Sequence, residues 1–131
     1  MASEGRAYRT LSFEGFEILV GKGDVANDTL TFSIADPQDC WLHVVNFAGS
    51  HVVVRNPDHL ADLPPAVLGY AAQLAAWYSK ARGSRGKAEV HFCQVSDVTK
   101  PRGFPPGKVL LRHWQSLRVY PKDPSPSEQD A

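Results

Sequence analysis

The chain has 131 residues, 43% of them hydrophobic, and its formal charges sum to zero. That is enough for one domain with a core of its own, and no apolar run approaches the roughly 20 residues that a membrane-spanning helix requires. With Glu4 close behind Met1 the N-terminus has no apolar leader region, so a cytoplasmic protein is expected, and its two cysteines, Cys40 and Cys93, are expected to be reduced.

The neutral total conceals a division along the chain. Residues 1–63 hold four Lys/Arg against nine Asp/Glu, whereas residues 80–122 hold ten against two, a local net charge of +8. A positive field of that size attracts an anionic partner even in a neutral molecule. A solvated surface with no partner is the alternative.

In chain order, Tyr8–Phe13 and Phe16–Val20 around Glu14-Gly15 read as a hairpin, with Phe16, Ile18 and Val20 on one face. Gly21-Lys22-Gly23-Asp24 has the composition of a phosphate cradle but not the spacing, and reads as a plain turn. Asn27 or Asp28 is expected to cap a short helix reaching Ala35, with Leu30, Ile34 and Phe32 toward the core, before Pro37 stops it. Next come two β-branched runs, Trp41–Val45 and His51–Arg55, which read as strands. Alternation puts Trp41 with His43, and His51 with Val53 and Arg55, leaving Leu42, Val44, Val52 and Val54 for the core. In that register an indole, two imidazoles and a guanidinium gather on one sheet face, which is expected to open to solvent. A slip of one residue would bury Trp41 and His43 instead.

Pro64-Pro65 opens the clearest helix, with Val67, Tyr70, Ala71, Leu74 and Trp77 as its core stripe and Gly83 just past its end. Lys80 and Arg82 suit the dipole of its last turn, yet the cations continue through Arg85 and Lys87 into a loop. Glu89–Val95 alternates like a strand. Thr99–Lys108 is a loop stiffened by three prolines that presents Lys100, Arg102, Lys108 and Phe104. Val109–Leu111 and Leu117–Tyr120 supply final strands, and residues 121–131 have the composition of a disordered tail. The expectation is one α+β domain over residues 1–120, a mostly antiparallel sheet covered by one long helix plus a short helix.

The motifs Gly21-Lys22, Asn27-Asp28-x-Leu30, Asp39-x-Trp41-x-His43 and Gly49-Ser50-His51-Val52 with Arg55 carry a resemblance. So do Ala71-Ala72-x-Leu74-Ala75-Ala76-x-Tyr78-Ser79-Lys80-x-Arg82, Val98-x-Lys100-Pro101 and Pro106-Gly107-x-Val109. Together they resemble, in order, the NFACT-R domain of the NFACT proteins of ribosome-associated quality control, in its free-standing bacterial type. The resemblance implies RNA binding, with tRNA or ribosomal RNA, the large ribosomal subunit or a tRNA-modification enzyme as partners, and no membrane. The larger N-terminal domain, helix-hairpin-helix and coiled coil of full-length members are not seen in this sequence. Their tail-addition activity is therefore not expected of it.

The expected phosphate contacts are Lys80, Arg82, Arg85, Lys100, Arg102 and Lys108, and the expected base contacts are Trp41, His43, His51 and Arg55. Lys22 and Ser50 join the expected RNA-binding set from the matching motifs. Three other readings were open to these residues. Ser50 beside His51 offers a nucleophile and a base, but neighbours in a strand face opposite ways. Cys40, His43, His51, His91 and Cys93 offer metal ligands, but in no standard zinc spacing. The basic loops could instead dock an acidic protein, making the domain an adaptor. A non-catalytic domain without a cofactor is expected.

Overall fold

Residues 8–124 are described by the structure, a computed structural model. Six strands form one sheet in the order β1-β2-β4-β3-β5-β8, each pair antiparallel. They are β1 (Tyr8–Phe13), β2 (Phe16–Gly21), β3 (Cys40–Val44), β4 (Val52–Val54), β5 (Ala88–Gln94) and β8 (Gln115–Val119). The remaining strands, β6 (Val98–Thr99) and β7 (Leu110–Leu111), pair with each other at the base of the proline loop. The hairpin, the central strands and the α+β class match the sequence reading.

Helix α2 (Pro65–Trp77) covers one face of the sheet. Ile18, Val20, Leu42, Val52, Val54 and Val90 meet Val67, Tyr70, Ala71 and Leu74 there, all essentially removed from water. The small Ala71, Ala72, Ala75 and Ala76 are also buried and let the helix lie close to the strands. Its 13 residues fall short of the expected run to Gly83. The reason lies across the fold. Ser79 Oγ donates to the Ala76 carbonyl at 2.6 Å and accepts from Ala81 N–H at 3.0 Å, which ends one helix and caps a short 3-10 turn, Lys80–Gly83. Ser50 N–H donates to the Tyr78 carbonyl at 2.9 Å and Lys80 N–H to the Ala48 carbonyl at 2.8 Å, so the β3–β4 connection claims the backbone past the helix end. A Cβ on Gly49 would stand 2.5 Å from that of Ser79, so this approach requires glycine.

The early helix differs more from expectation. α1 (Asp24–Thr29) starts before Asn27 and passes directly into a π-helical turn, Leu30–Ile34. Asn27 is therefore inside the helix and buried, not a cap. Its Oδ1 accepts from His51 N–H at 3.0 Å and its Nδ2 donates to the Gly49 carbonyl at 3.3 Å, so the side chain acts as the pairing partner that this strand entrance lacks. Gly21 is required beneath it, since a Cβ there would overlap Asn27 Oδ1. Leu30 and Thr31 face inward, whereas Phe32, expected in the core, is exposed. The tail expected over 121–131 lies, from residue 125 onward, outside the described residues.

Candidate nucleic-acid interface

The register Trp41↔Val53 and Leu42↔Val52 is the one expected, and it puts Trp41, His43, His51 and Val53 on the face opposite α2. The expectation that this face opens to solvent is corrected. Trp41 is 2% and His51 1% exposed, because α1, its π-helical turn and the 98–111 segment lie over them, and Leu30, Val95 and Val98 cluster there with Leu19 and Val53 of the same sheet face. The register places the apolar half of both sheet faces under cover, so each needed a lid of its own.

Beneath the lid the polar atoms are matched. Trp41 Nε1–H donates to Thr31 Oγ1 at 3.2 Å, and Thr31 Oγ1 lies 2.8 Å from His51 Nδ1. His51 Nε2 lies 3.2 Å from the Gly107 carbonyl, which can only accept. Nε2 therefore carries the proton, and Thr31 donates its hydroxyl proton to Nδ1. Burial, the nearby His43 and a weaker repulsion from Lys100 push the His51 imidazole down to about 4, against weaker opposing contributions from the Gly107 carbonyl and Asp28. His43 is lowered as well, chiefly by burial. Its ring is half-buried, 5.9 Å from that of Trp41 and 5.5 Å from that of His51.

Several of the expected RNA contacts bond to other segments of the protein. Arg55 bonds Asp39 through Nε at 2.9 Å and Asp36 through Nη2 at 3.1 Å, tying the entrance of β3 to the exit of β4. Ser50 Oγ donates to the Gly21 carbonyl at 2.6 Å. Lys100 folds back to the carbonyls of Pro105 at 2.6 Å and Lys108 at 2.7 Å and pairs with Asp28 at 3.2 Å. Asp28 also accepts from Gly107 N–H at 3.0 Å, so this lysine and this carboxylate clamp the proline loop to α1. Lys22, Lys80, Arg82, Arg85, Arg102 and Lys108 are exposed. Arg82 lies 4.2 Å over the Trp77 ring and donates to its carbonyl at 2.8 Å. Lys80 and Arg82 border a hollow shared with Ser50 and α1, whereas Lys108 borders another of about 290 Å³ with His43 and His91. The cations thus fall into two groups.

What the sequence reading missed is the outer part of the lidded face. Over β5 and β8, alternation and register put Lys87, Glu89, His91, Ser116, Arg118 and Tyr120 on the same side as His43. Leu117, Val119 and Val90 turn to the α2 core. The lid does not reach this area: Tyr120 is 56% exposed, and Trp114, whose ring centroid is 5.5 Å from that of His91, is 51% exposed. Lys87 Nζ stands 5.5 Å from the Tyr120 ring centroid. The signal was present in the period-2 spacing of Lys87, Glu89 and His91 and of Arg118 and Tyr120, but strand order was needed to bring the two sets together.

The thiols offer no reactive site, since burial above all pushes both Cys40 and Cys93 up to about 12. Among the described residues no group of three or more His, Cys, Asp or Glu is disposed to hold a metal ion. No described helix is long and apolar enough to cross a membrane.

Fold and exposed face together define a small α+β domain that presents a charged, ring-bearing sheet surface. Residues 6–113 match the family model described as the NFACT protein RNA binding domain, and the chain belongs to that family. Among curated proteins it is 42% identical over 106 residues to the Rqc2 homolog RqcH of Streptococcus suis, a match that covers 81% of this chain. It is 37% identical over 112 residues to that of Bacillus subtilis, covering 84% of this chain. The chain spans 18% of the length of each of these relatives. Among solved structures, the C-terminal part of the fibronectin/fibrinogen-binding protein from Streptococcus suis superposes with a TM-score of 0.81 at 38% identity, covering 90% of this chain and 46% of that one.

Proposed function

We propose that this domain is a non-catalytic RNA-binding module of ribosome-associated quality control in the cytoplasm, taking tRNA or ribosomal RNA. One observation carries the reading: the segment with a net charge of +8 supplies β5, β8 and the loops beside them, so Lys87, Arg118 and Lys108 lie on or beside an exposed sheet face while Lys80 and Arg82 border a second hollow, in a protein whose other half is acidic. Family membership and the relatives support it. Affinity comes from Lys80, Arg82, Arg85, Arg102, Lys108 and Arg118 meeting phosphates, with counterions released as they do so. His43 remains a base contact in this reading. Trp41 and His51 hold the lid and position His43 from below.

Titration of labelled tRNA and of a ribosomal RNA fragment, followed by fluorescence anisotropy at two salt concentrations, tests this. Each phosphate contact contributes a slope of about −0.7 to −0.9 in log K against log salt. The double charge reversal Arg102→Glu with Lys108→Glu is expected to weaken both complexes and to flatten that slope. Absence of salt-sensitive binding at micromolar protein, with capture of an acidic protein that depends on the same two residues, would replace the RNA reading with the adaptor one.

A further inference from the structure

We infer that the open β5–β8 face is a stacking platform for unpaired RNA bases, so that the domain selects single-stranded over duplex RNA. This inference rests on the RNA reading above. Three flat rings stand on this surface. Trp114 and Tyr120 are more than half exposed, and His91 sits between them with its ring against Trp114. The exposed indole and phenol flank the edge strand β8, and the flat faces of bases suit such rings regardless of sequence.

Charge selects the partner. Lys87 beside Tyr120, Arg118 between Tyr120 and Ser116, and Lys108 at the inner rim give three cations around the rings. Asp62 and Asp97 line a separate hollow that Trp114 also borders, and the carboxylate that β5 and β8 themselves place on this face is Glu89, which faces Arg118 in the register and lies 3.8 Å from His91. On the β5–β8 face and its inner rim the balance is positive, three cations against Glu89, as a backbone of phosphates requires. Side chains two apart on one strand face are about 7 Å apart, and those on neighbouring strands about 5 Å apart. Successive bases can meet successive rings at those spacings only when they are splayed out, and bases in a duplex present no ring face to such a surface. The inner hollow beside His43, His91 and Lys108 ends the strip and has room for one further flat group.

The test compares a fluorescein-labelled, unstructured pyrimidine-rich RNA with the same strand annealed to its complement. The single strand is expected to bind more tightly. Trp114→Ala and His91→Ala should each weaken it by about 5- to 140-fold, the range for loss of one base–aromatic stack. Phe32→Ala, which removes an exposed ring of the π-helical turn outside β5 and β8, should leave it unchanged. Quenching of tryptophan fluorescence on binding should disappear in Trp114→Phe. If single strand and duplex bind alike and both are indifferent to Trp114→Ala, the platform is wrong while RNA binding stands. If neither binds, both readings fall. Self-association abolished by Trp114→Ala would then show that a second copy of the chain covers the face.

Discussion

In a neutral imidazole one ring nitrogen donates and the other accepts, and His51 uses both inside the protein: it donates from Nε2 to Gly107 and accepts at Nδ1 from Thr31. Protonation would place a second donor against the Thr31 hydroxyl in a site that water does not reach. The folded value near 4 lies below the ordinary 6.5, so the unfolded chain binds a proton here before the folded one does. Stability associated with His51 is therefore intact above pH 6.5 and is lost as the pH falls toward 4, with a total on the order of 3 kcal/mol. The lowering of His43 acts with the same sign. Urea denaturation across this range should show the loss. His51→Gln should be less stable at neutral pH yet have a shallower acid slope, and an unchanged slope would contradict the assignment. The same residue scale explains why motif recognition and site recognition diverge. Asn27, Asp39, Ser50, His51 and Arg55 stand in motifs that carry the family resemblance, and each is spent on joining one segment of backbone to another.

The segment between β6 and β7 is held less by its three prolines than by Lys100 and Asp28. A lysine ammonium that meets two carbonyls and a carboxylate within 3.2 Å replaces the ladder bonds that prolines cannot make. Lys100→Met keeps the stem and removes all three contacts. It is expected to cost on the order of 1–2 kcal/mol in thermal or urea denaturation, allowing for partial exposure of the pair. Proteolysis should also become faster at Arg102. Equal protease resistance in the variant would show that the prolines alone hold the loop. Element boundaries in the sequence reading failed where such distant partners intervene. α2 stops at Trp77 because Ser79 and the β3–β4 connection meet its C-terminal carbonyls, and α1 starts early because Asn27 is needed by His51 and Gly49.

Across the whole molecule, the acidic N-terminal half builds β1, β2, β4, β3 and the helical part of the lid, and the basic C-terminal half builds the rest of the lid and the open edge of the sheet. Hydrogen exchange with saturating RNA is expected to slow in β5, β8 and the 100–108 loop and to leave the β1–β2 hairpin unchanged. Protection centred on the hairpin would place the ligand on the edge of the sheet opposite the β5–β8 contacts proposed above. The class of fold, the hairpin, the central register and the charge division were legible along the chain, because periodicity of two, turn residues and local charge are properties of neighbours in sequence. Whether Trp41 and His51 meet solvent, whether Lys100 is a contact or a clamp, and which rings share an open face were not. Those outcomes depend on what lies above each sheet face and on β8 pairing with β5 rather than β7, which are contacts between residues far apart in the chain.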